Sequence, residues 1–158
     1  MGTSACHGFR QALDRYTRMT PSIRLYGPTD LAPVIRETIA IAKRTRKYHI
    51  LVIIANGQVM HERETRAAIE AASHFAMCMY ISMTRGWATC CMVGVGDGPW
   101  DMMEKFDDGL PHQQFDNFQF VEYIRSFKMH RQSPEVGFAT DALMDLESRF
   151  QVEFFYHG

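Results

Sequence analysis

The chain has 158 residues, a length typical of one domain, and its 46% hydrophobic and 22% charged residues exclude a disordered chain. With 17 basic and 18 acidic residues the net charge is −1, so bulk charge attracts neither nucleic acid nor an anionic membrane. We therefore expect a globular domain that selects its partners through a local site, with no nucleic acid among them.

The cysteines and the apolar runs indicate the compartment. The four cysteines form no C-x-x-C pair and follow no secretory leader, which predicts reduced thiols in the cytoplasm or the nucleus. The apolar runs 48–55 and 75–83 are shorter than the about 20 residues that a membrane-spanning helix needs, so we expect no transmembrane segment. The N-terminal sequence departs from the myristoylation pattern at Cys6, and membrane-peripheral attachment is therefore only weakly supported.

The first part of the chain predicts two amphipathic helices. Apolar residues at helical spacing mark a helix over 8–20 and a second helix over 31–42, which Thr29 or Asp30 can cap. The basic run 43–47 is typical of a helix C-terminus, where cations complement the helix dipole. The alternative for this run is a nucleic-acid patch.

The rest of the chain alternates strands and helices. The unbroken apolar run 48–55 is typical of a strand that is buried on both faces, as in a parallel sheet covered by helices. The next elements are a helix over 62–74 and a strand that ends at 93–96. They are followed by a short helix whose first position suits Pro99, a strand over 117–123 and a helix that starts at 133–135. This order predicts an α/β fold, an open and mostly parallel sheet with helices on both faces.

Polar side chains stand where such a sheet would bind a ligand. In open α/β sheets ligands bind beyond the carboxyl ends of the strands. Asn56 follows the first predicted strand, Asp97 follows the second, and Thr29 lies in a neighbouring loop. These three residues are the candidates for a binding site.

Three local motifs fail to match an enzyme. The glycines of 94–98 do not form a dinucleotide-binding loop, because Pro99 stands in place of the third glycine. The His-Glu pair at 61–62 is not a zinc protease motif, because Thr65 replaces the second histidine. Cys90 and Cys91 lack metal-ligand spacing and are typical of small core residues or of an exposed thiol. A nucleotide-dependent or metal-dependent enzyme is disfavoured, and no catalytic residue is indicated.

Several longer strings of the sequence point to a family. They are Cys6-His7-Gly8-Phe9, Gly27-Pro28-Thr29, the strand 48–55 with Asn56-Gly57-Gln58-Val59, Glu64-Thr65-Arg66-x-Ala68-Ile69, the stretch 93–101, Phe106-Asp107-Asp108 and the stretch 115–121. Together they resemble the copine-type von Willebrand factor A domain, most closely the version in plant RING-domain ubiquitin ligases. We identify residues 1–158 as a partial domain of this type.

This resemblance implies a Rossmann-like, doubly wound sheet with a metal-ion-dependent adhesion site on three loops. The family builds the site from an Asp-x-Ser-x-Ser motif, a threonine and an aspartate, to which Thr29 and Asn56 correspond at the last two positions. The chain contains no Asp-x-Ser-x-Ser motif, because in the family this motif lies on a first strand, upstream of the sequence. Mg²⁺ prefers one or two carboxylate ligands. We therefore expect a degenerate site without a cofactor, and Mg²⁺ only if the site were complete.

The sequence departs from the family in two further ways. Residues 82–92 interrupt the strand that leads into Val93, and they offer two competing strands, 77–83 and 89–95. The insertion is either a bulged excursion with a function or translated non-coding sequence. Without the first strand, the run 48–55 would have an apolar, unpaired edge, from which we expect marginal stability and self-association.

The resemblance implies a protein-interaction domain fragment that is no enzyme on its own and holds partners while another module does the chemistry. The family's RING finger and lipid-binding modules do not occur in these residues. The alternative is a component of an E3 ubiquitin ligase, acting through a RING finger that is not in this chain. In that case its protein partners include proteins of the ubiquitin pathway.

Overall fold

A computed structural model describes residues 5–24, 29–47, 49–57, 59–81, 88–113 and 116–155, with the side chains of these residues except 75–81 and 145–155. Within them the helices are α1 Gly8–Met19, α2 Ala32–Thr45, α3 Glu62–Ile81, α4 Asp101–Asp107, α5 Tyr123–Met129 and α6 Pro134–Phe155. The strands are β1 His49–Ala55, β2 Ala88–Gly94 and β3 Phe118–Glu122, and a 3₁₀ turn spans Thr20–Ser22. None of the described helices combines the length and the apolar content that crossing a bilayer requires.

The three described strands form one open, parallel sheet in the order β1-β2-β3. Val52 of β1 lies opposite Cys91 of β2, and Cys91 in turn lies opposite Gln119 of β3. Strands β2 and β3 are almost fully buried, as expected for parallel strands that helices cover on both faces. The predicted α/β class, with a parallel sheet between helices, is confirmed.

The larger core lies on the face that α2, α3 and α4 cover. Met92 of β2 and Phe118 of β3 are fully buried there, together with Ile69, Met103 and Phe106 from the helices. The rings of Phe106 and Phe118 meet edge to face, with centroids 5.9 Å apart. This packing fixes α3 and α4 on the sheet and so positions the loops at the carboxyl ends of the strands.

The opposite face carries a smaller core under α6. Ala142 of α6 packs against Cys91, Val93 and Val121, so this helix covers β2 and β3. Helix α5 is held against α6, where the Tyr123 ring lies 5.2 Å from that of Phe138.

Strand β1 differs from the sequence-based expectation. On one face Leu51 and Ile53 pack against the larger core, but Val52 and Ile54 on the other face are exposed. The expectation that this strand is buried on both faces is wrong, because β1 is the edge strand of the described sheet and α6 lies over β2 and β3 instead.

Two local predictions are also wrong. Pro99 does not begin a helix, because α4 starts only after Trp100, whose carbonyl oxygen accepts bonds from the N–H groups of Met103 and Glu104. Residues 77–81 are not a strand but the end of α3, and residues 82–87 lie outside the described residues. The competing strand prediction, 89–95, is confirmed by β2, which therefore includes residues of the predicted insertion.

Candidate functional site

Three loops lie at the carboxyl edge of the sheet, where open α/β sheets bind ligands. The first site loop, 29–31, precedes α2. The second, residues 56–57 and 59–61, follows β1, and the third, 95–100, follows β2. Because β1 and β2 are parallel neighbours, the second and third loops leave the sheet side by side. This is the edge at which the sequence predicts the candidate site.

Backbone contacts connect the three loops. The Met60 N–H donates to the carbonyl oxygen of Thr29 at 2.8 Å, which joins the first loop to the second. The Val95 N–H donates to the carbonyl oxygen of Ala55 at 2.8 Å, at the point where the second and third loops begin. Gly96 lies against Asn56, since a Cβ on this glycine would come within 3.8 Å of the Asn56 Cβ. The edge is thus one continuous surface.

The three predicted site residues are all exposed on this surface. Asn56 and Asp97 lie on the neighbouring second and third loops, and Thr29 lies on the first. The described contact of Thr29 with the second loop is made by its carbonyl oxygen. The site therefore presents an amide, a carboxylate and a hydroxyl to solvent, groups that suit polar contacts with a partner.

A side-chain pair within the site was not predicted from the sequence. The His61 Nδ1 lies 3.2 Å from the Asp30 Oδ2, so the second loop is tied to the first by side chains as well. The Asp30 Oδ1 accepts a bond from the Ala32 N–H at 3.0 Å, so this side chain caps the first turn of α2, although the N-cap position itself is Leu31. His61 has a φ of 60°, a conformation that the sequence does not reveal.

The third loop ends at Trp100, whose side chain is buried beneath it. The Trp100 side chain packs against Phe120, with ring centroids 5.5 Å apart. A Cβ on Gly98 would come within 3.0 Å of the indole ring, and Gly98 also has a φ of 78°. The buried Trp100 Nε1 has no hydrogen-bond partner among the described residues. Gly98 is therefore required both by its backbone conformation and by the closeness of this ring.

The thiols of β2 take no part in the site. Cys90 and Cys91 are buried and free, and the Cys91 Sγ donates to the carbonyl oxygen of Ala142 at 3.2 Å. Burial raises the pKa of both thiols, and the nearby Asp107 carboxylate raises that of Cys91 further. The interpretation of this pair as core residues is confirmed. No three His, Cys, Asp or Glu side chains of the described part of the chain come together as a metal cluster.

Comparison with known proteins gives a family match over almost the whole chain. The copine family matches residues 1–155. The chain is 40% identical to copine family protein 2 of Caenorhabditis elegans over 92% of its own length and 2% of that protein. It is 38% identical to the E3 ubiquitin-protein ligase RGLG3 of Arabidopsis thaliana and 39% identical to RGLG4, covering 41% and 38% of these two proteins. The chain thus spans less than half the length of each of these relatives.

Proposed function

Because the chain belongs to the copine family, we propose that it is a protein-interaction domain whose carboxyl-edge loops contact a protein partner without a bound metal ion. The observation that carries the proposal is the joined surface of the three site loops. Asn56 and Asp97 are exposed on it, and the backbone behind them is fixed by the hydrogen bonds of Val95 and Met60. Exposed polar groups on a rigid support are a good basis for recognition, because little conformational entropy is lost on binding.

The donor set of the loops fits Mg²⁺ poorly. Asn56 offers a neutral amide oxygen where the family's site has a carboxylate, and Thr29 offers a hydroxyl. The nearest carboxylate on the first loop, that of Asp30, already accepts the Ala32 N–H and faces His61. Mg²⁺ is usually held by near-octahedral oxygen ligands with one or two carboxylates. Among the three predicted site residues only Asp97 carries a carboxylate, and no three His, Cys, Asp or Glu side chains of the described residues come together to support it.

Titration calorimetry with MgCl₂ and with MnCl₂ tests the metal-free site. We expect no binding heat for the chain, and none for Asn56→Asp, because one restored carboxylate does not complete the ligand set. A micromolar Kd that Thr29→Ala abolishes would overturn this part of the proposal. It would mean that other carboxylates, with Asp30 or Asp97 among them, complete the shell.

Selection from a displayed library of random peptides tests the interaction surface. We expect binders whose affinity is unchanged by EDTA and falls roughly tenfold or more in Asn56→Ala combined with Asp97→Ala, since these are the exposed polar groups of the loops. Lys47→Ala, at an exposed residue between the C-terminal end of α2 and β1 and away from the loops, is the control. Binders that both variants retain would place the interaction surface elsewhere.

A second candidate function rests on the names of the plant relatives. The chain aligns with 41% of the ligase RGLG3 at 38% identity and with 38% of the ligase RGLG4 at 39% identity. We propose that the domain acts in protein ubiquitination as the partner-holding part of a ligase whose RING finger lies outside these 158 residues. Reconstitution with activating and conjugating enzymes should give no ubiquitin chains with this chain alone. It should give ubiquitination of a bound peptide when a RING module is fused to it, and failure of the fusion would reject the candidate.

A further inference from the structure

Helix α1 carries an apolar stripe that the described part of the chain leaves exposed. Phe9, Leu13 and Tyr16 follow one another at helical spacing and therefore share one side of the helix. Phe9 is 82% exposed and Tyr16 is 67% exposed, and α1 contains no buried residue. Large aromatic side chains exposed in a row on a folded helix are unusual for a monomer and mark an interaction surface.

A second uncovered apolar surface lies on the sheet. Ile50, Val52 and Ile54 point to the same face of β1, and Ile54 is 70% exposed. This is the face on which α6 packs over β2 and β3. We name the three β1 side chains the β1 face.

The α1 stripe matches the β1 face in length, and α1 is opposite in charge to α6, which lies on the same face of the sheet. Twelve residues of α1 extend about 18 Å as a helix, and the strand from Ile50 to Ile54 extends about 13 Å. Helix α1 has three arginines and one aspartate, whereas the part of α6 with described side chains carries Glu135 and Asp141. A basic helix beside an acidic one is electrostatically favourable.

We infer that the chain forms a two-fold dimer in which α1 of each copy lies on the β1 face of the other. A reciprocal exchange of this kind is closed, because the same contact, α1 on the β1 face, occurs twice. Aromatic side chains bury about 150–250 Å² each. The interface would also bury the aliphatic side chains of the α1 stripe and of the β1 face, and each contact occurs twice. The total buried area is then about 1,200–2,000 Å², the size of a stable interface. The inference is independent of the proposed function, since it concerns a helix and a sheet face outside the three site loops.

Sedimentation equilibrium of the full chain tests the dimer. We expect a dimer at tens of micromolar, and a Kd that rises roughly tenfold or more in Leu13→Ser, because an apolar contact is lost. The exposed position of Leu13 means that this change leaves the core of each copy intact. Gln11→Ser, about 200° around the same helix, is the matched control and should leave the Kd unchanged. A monomer, or equal effects of the two variants, would overturn the inference.

Cross-linking identifies the contact itself. In a Cys6→Ser background, one isotope-labelled copy carries Leu13→Cys and the unlabelled copy carries Val52→Cys. After mild oxidation we expect a disulfide between positions 13 and 52 of different copies. Cross-links only between two Val52→Cys copies would show pairing of strand edges instead. A 13–52 bond within one chain, formed by the double variant at high dilution, would show that α1 covers its own sheet. Either result, or no cross-link, refutes the exchange.

Discussion

We expect Gly94→Ala to destabilise the protein by about 1–3 kcal/mol, the usual cost of overpacking a buried site. Gly94 is the last residue of β2 and lies directly before the third site loop. A Cβ there would lie 3.0 Å from a carbon of the Trp100 ring and 3.0 Å from a carbon of the Phe120 ring. Both rings are buried and packed against each other, so neither can move away without losing contacts.

Urea unfolding followed by circular dichroism measures this cost. Gly57→Ala is the matched control, because its Cβ would have an ordinary 3.7 Å contact with the Gly98 carbonyl oxygen. We expect that variant to change the free energy of unfolding by less than about 1 kcal/mol. Phe120→Leu removes one of the obstructing ring edges and should offset part of the cost of Gly94→Ala in a double-mutant cycle. Equal stability of the two alanine variants, or strict additivity with Phe120→Leu, would refute the steric reasoning.

Three further outcomes are expected. Asp30→Ala should lower the free energy of unfolding by about 0.5–2 kcal/mol in a urea titration, because α2 loses its cap. Cys90 and Cys91 should resist a soluble thiol reagent at pH 8 until the protein unfolds, because burial raises their pKa above the ordinary 9.0. Since the raised pKa belongs to the folded state, their contribution to stability should be complete below pH 9 and be lost at higher pH. Removal of residues 82–92 should leave a protein that still unfolds cooperatively in a thermal melt.

Two results would contradict these expectations. Glu37→Ala, on the exposed side of α2, should change stability by less than about 0.5 kcal/mol, and an equal loss in both variants would argue against a capping role for Asp30. Rapid modification of Cys90 or Cys91 in the native protein would show that β2 opens to solvent more readily than its burial indicates.

The alternation of strands and helices was predictable, because each element carries its own apolar period. Helix α5 was not predicted, and its packing gives the reason. It has only seven residues, and its Tyr123 and Phe127 rings, 4.4 Å apart, both pack near Phe138 of α6. A helix of this length is stabilised by tertiary contacts rather than by its own sequence.

The burial of β1 could not be predicted from its residues. An unbroken apolar run shows that a strand tolerates burial on both faces, but it does not show how many neighbours the strand has in the sheet. That number depends on strand order, and β1 is paired with β2 alone among the described strands. The run therefore has the composition of a central strand and the exposure of an edge strand.

The position of the candidate site could be predicted from the sequence, but not all of its contacts. Asn56 and Asp97 were found because parallel strands share a carboxyl edge. The pair of His61 with Asp30 joins residues 31 positions apart and depends on a backbone conformation that histidine rarely adopts. The sequence contains no signal for such a contact.

The expected tolerance to removal of residues 82–92 follows from the register of β2. Strand β2 takes residues 88–92 from the predicted insertion; all five pair with β1, and residues 90–92 pair with β3 as well. Deletion would join Ile81 to Val93, placing Ile81 at the buried position of Met92 and Met79 at that of Cys90. Both faces of β2 are buried, and the replacement strand stays mostly apolar on both, with Ile81 and Met79 toward the larger core and Tyr80 in place of Cys91 toward α6. The two residues between His74 and Met77 are enough for a helix-to-strand loop. Amide hydrogen exchange should then show protection over 77–81 in a strand. A deletion variant that fails to fold would show instead that residues 82–92 are an integral part of the domain.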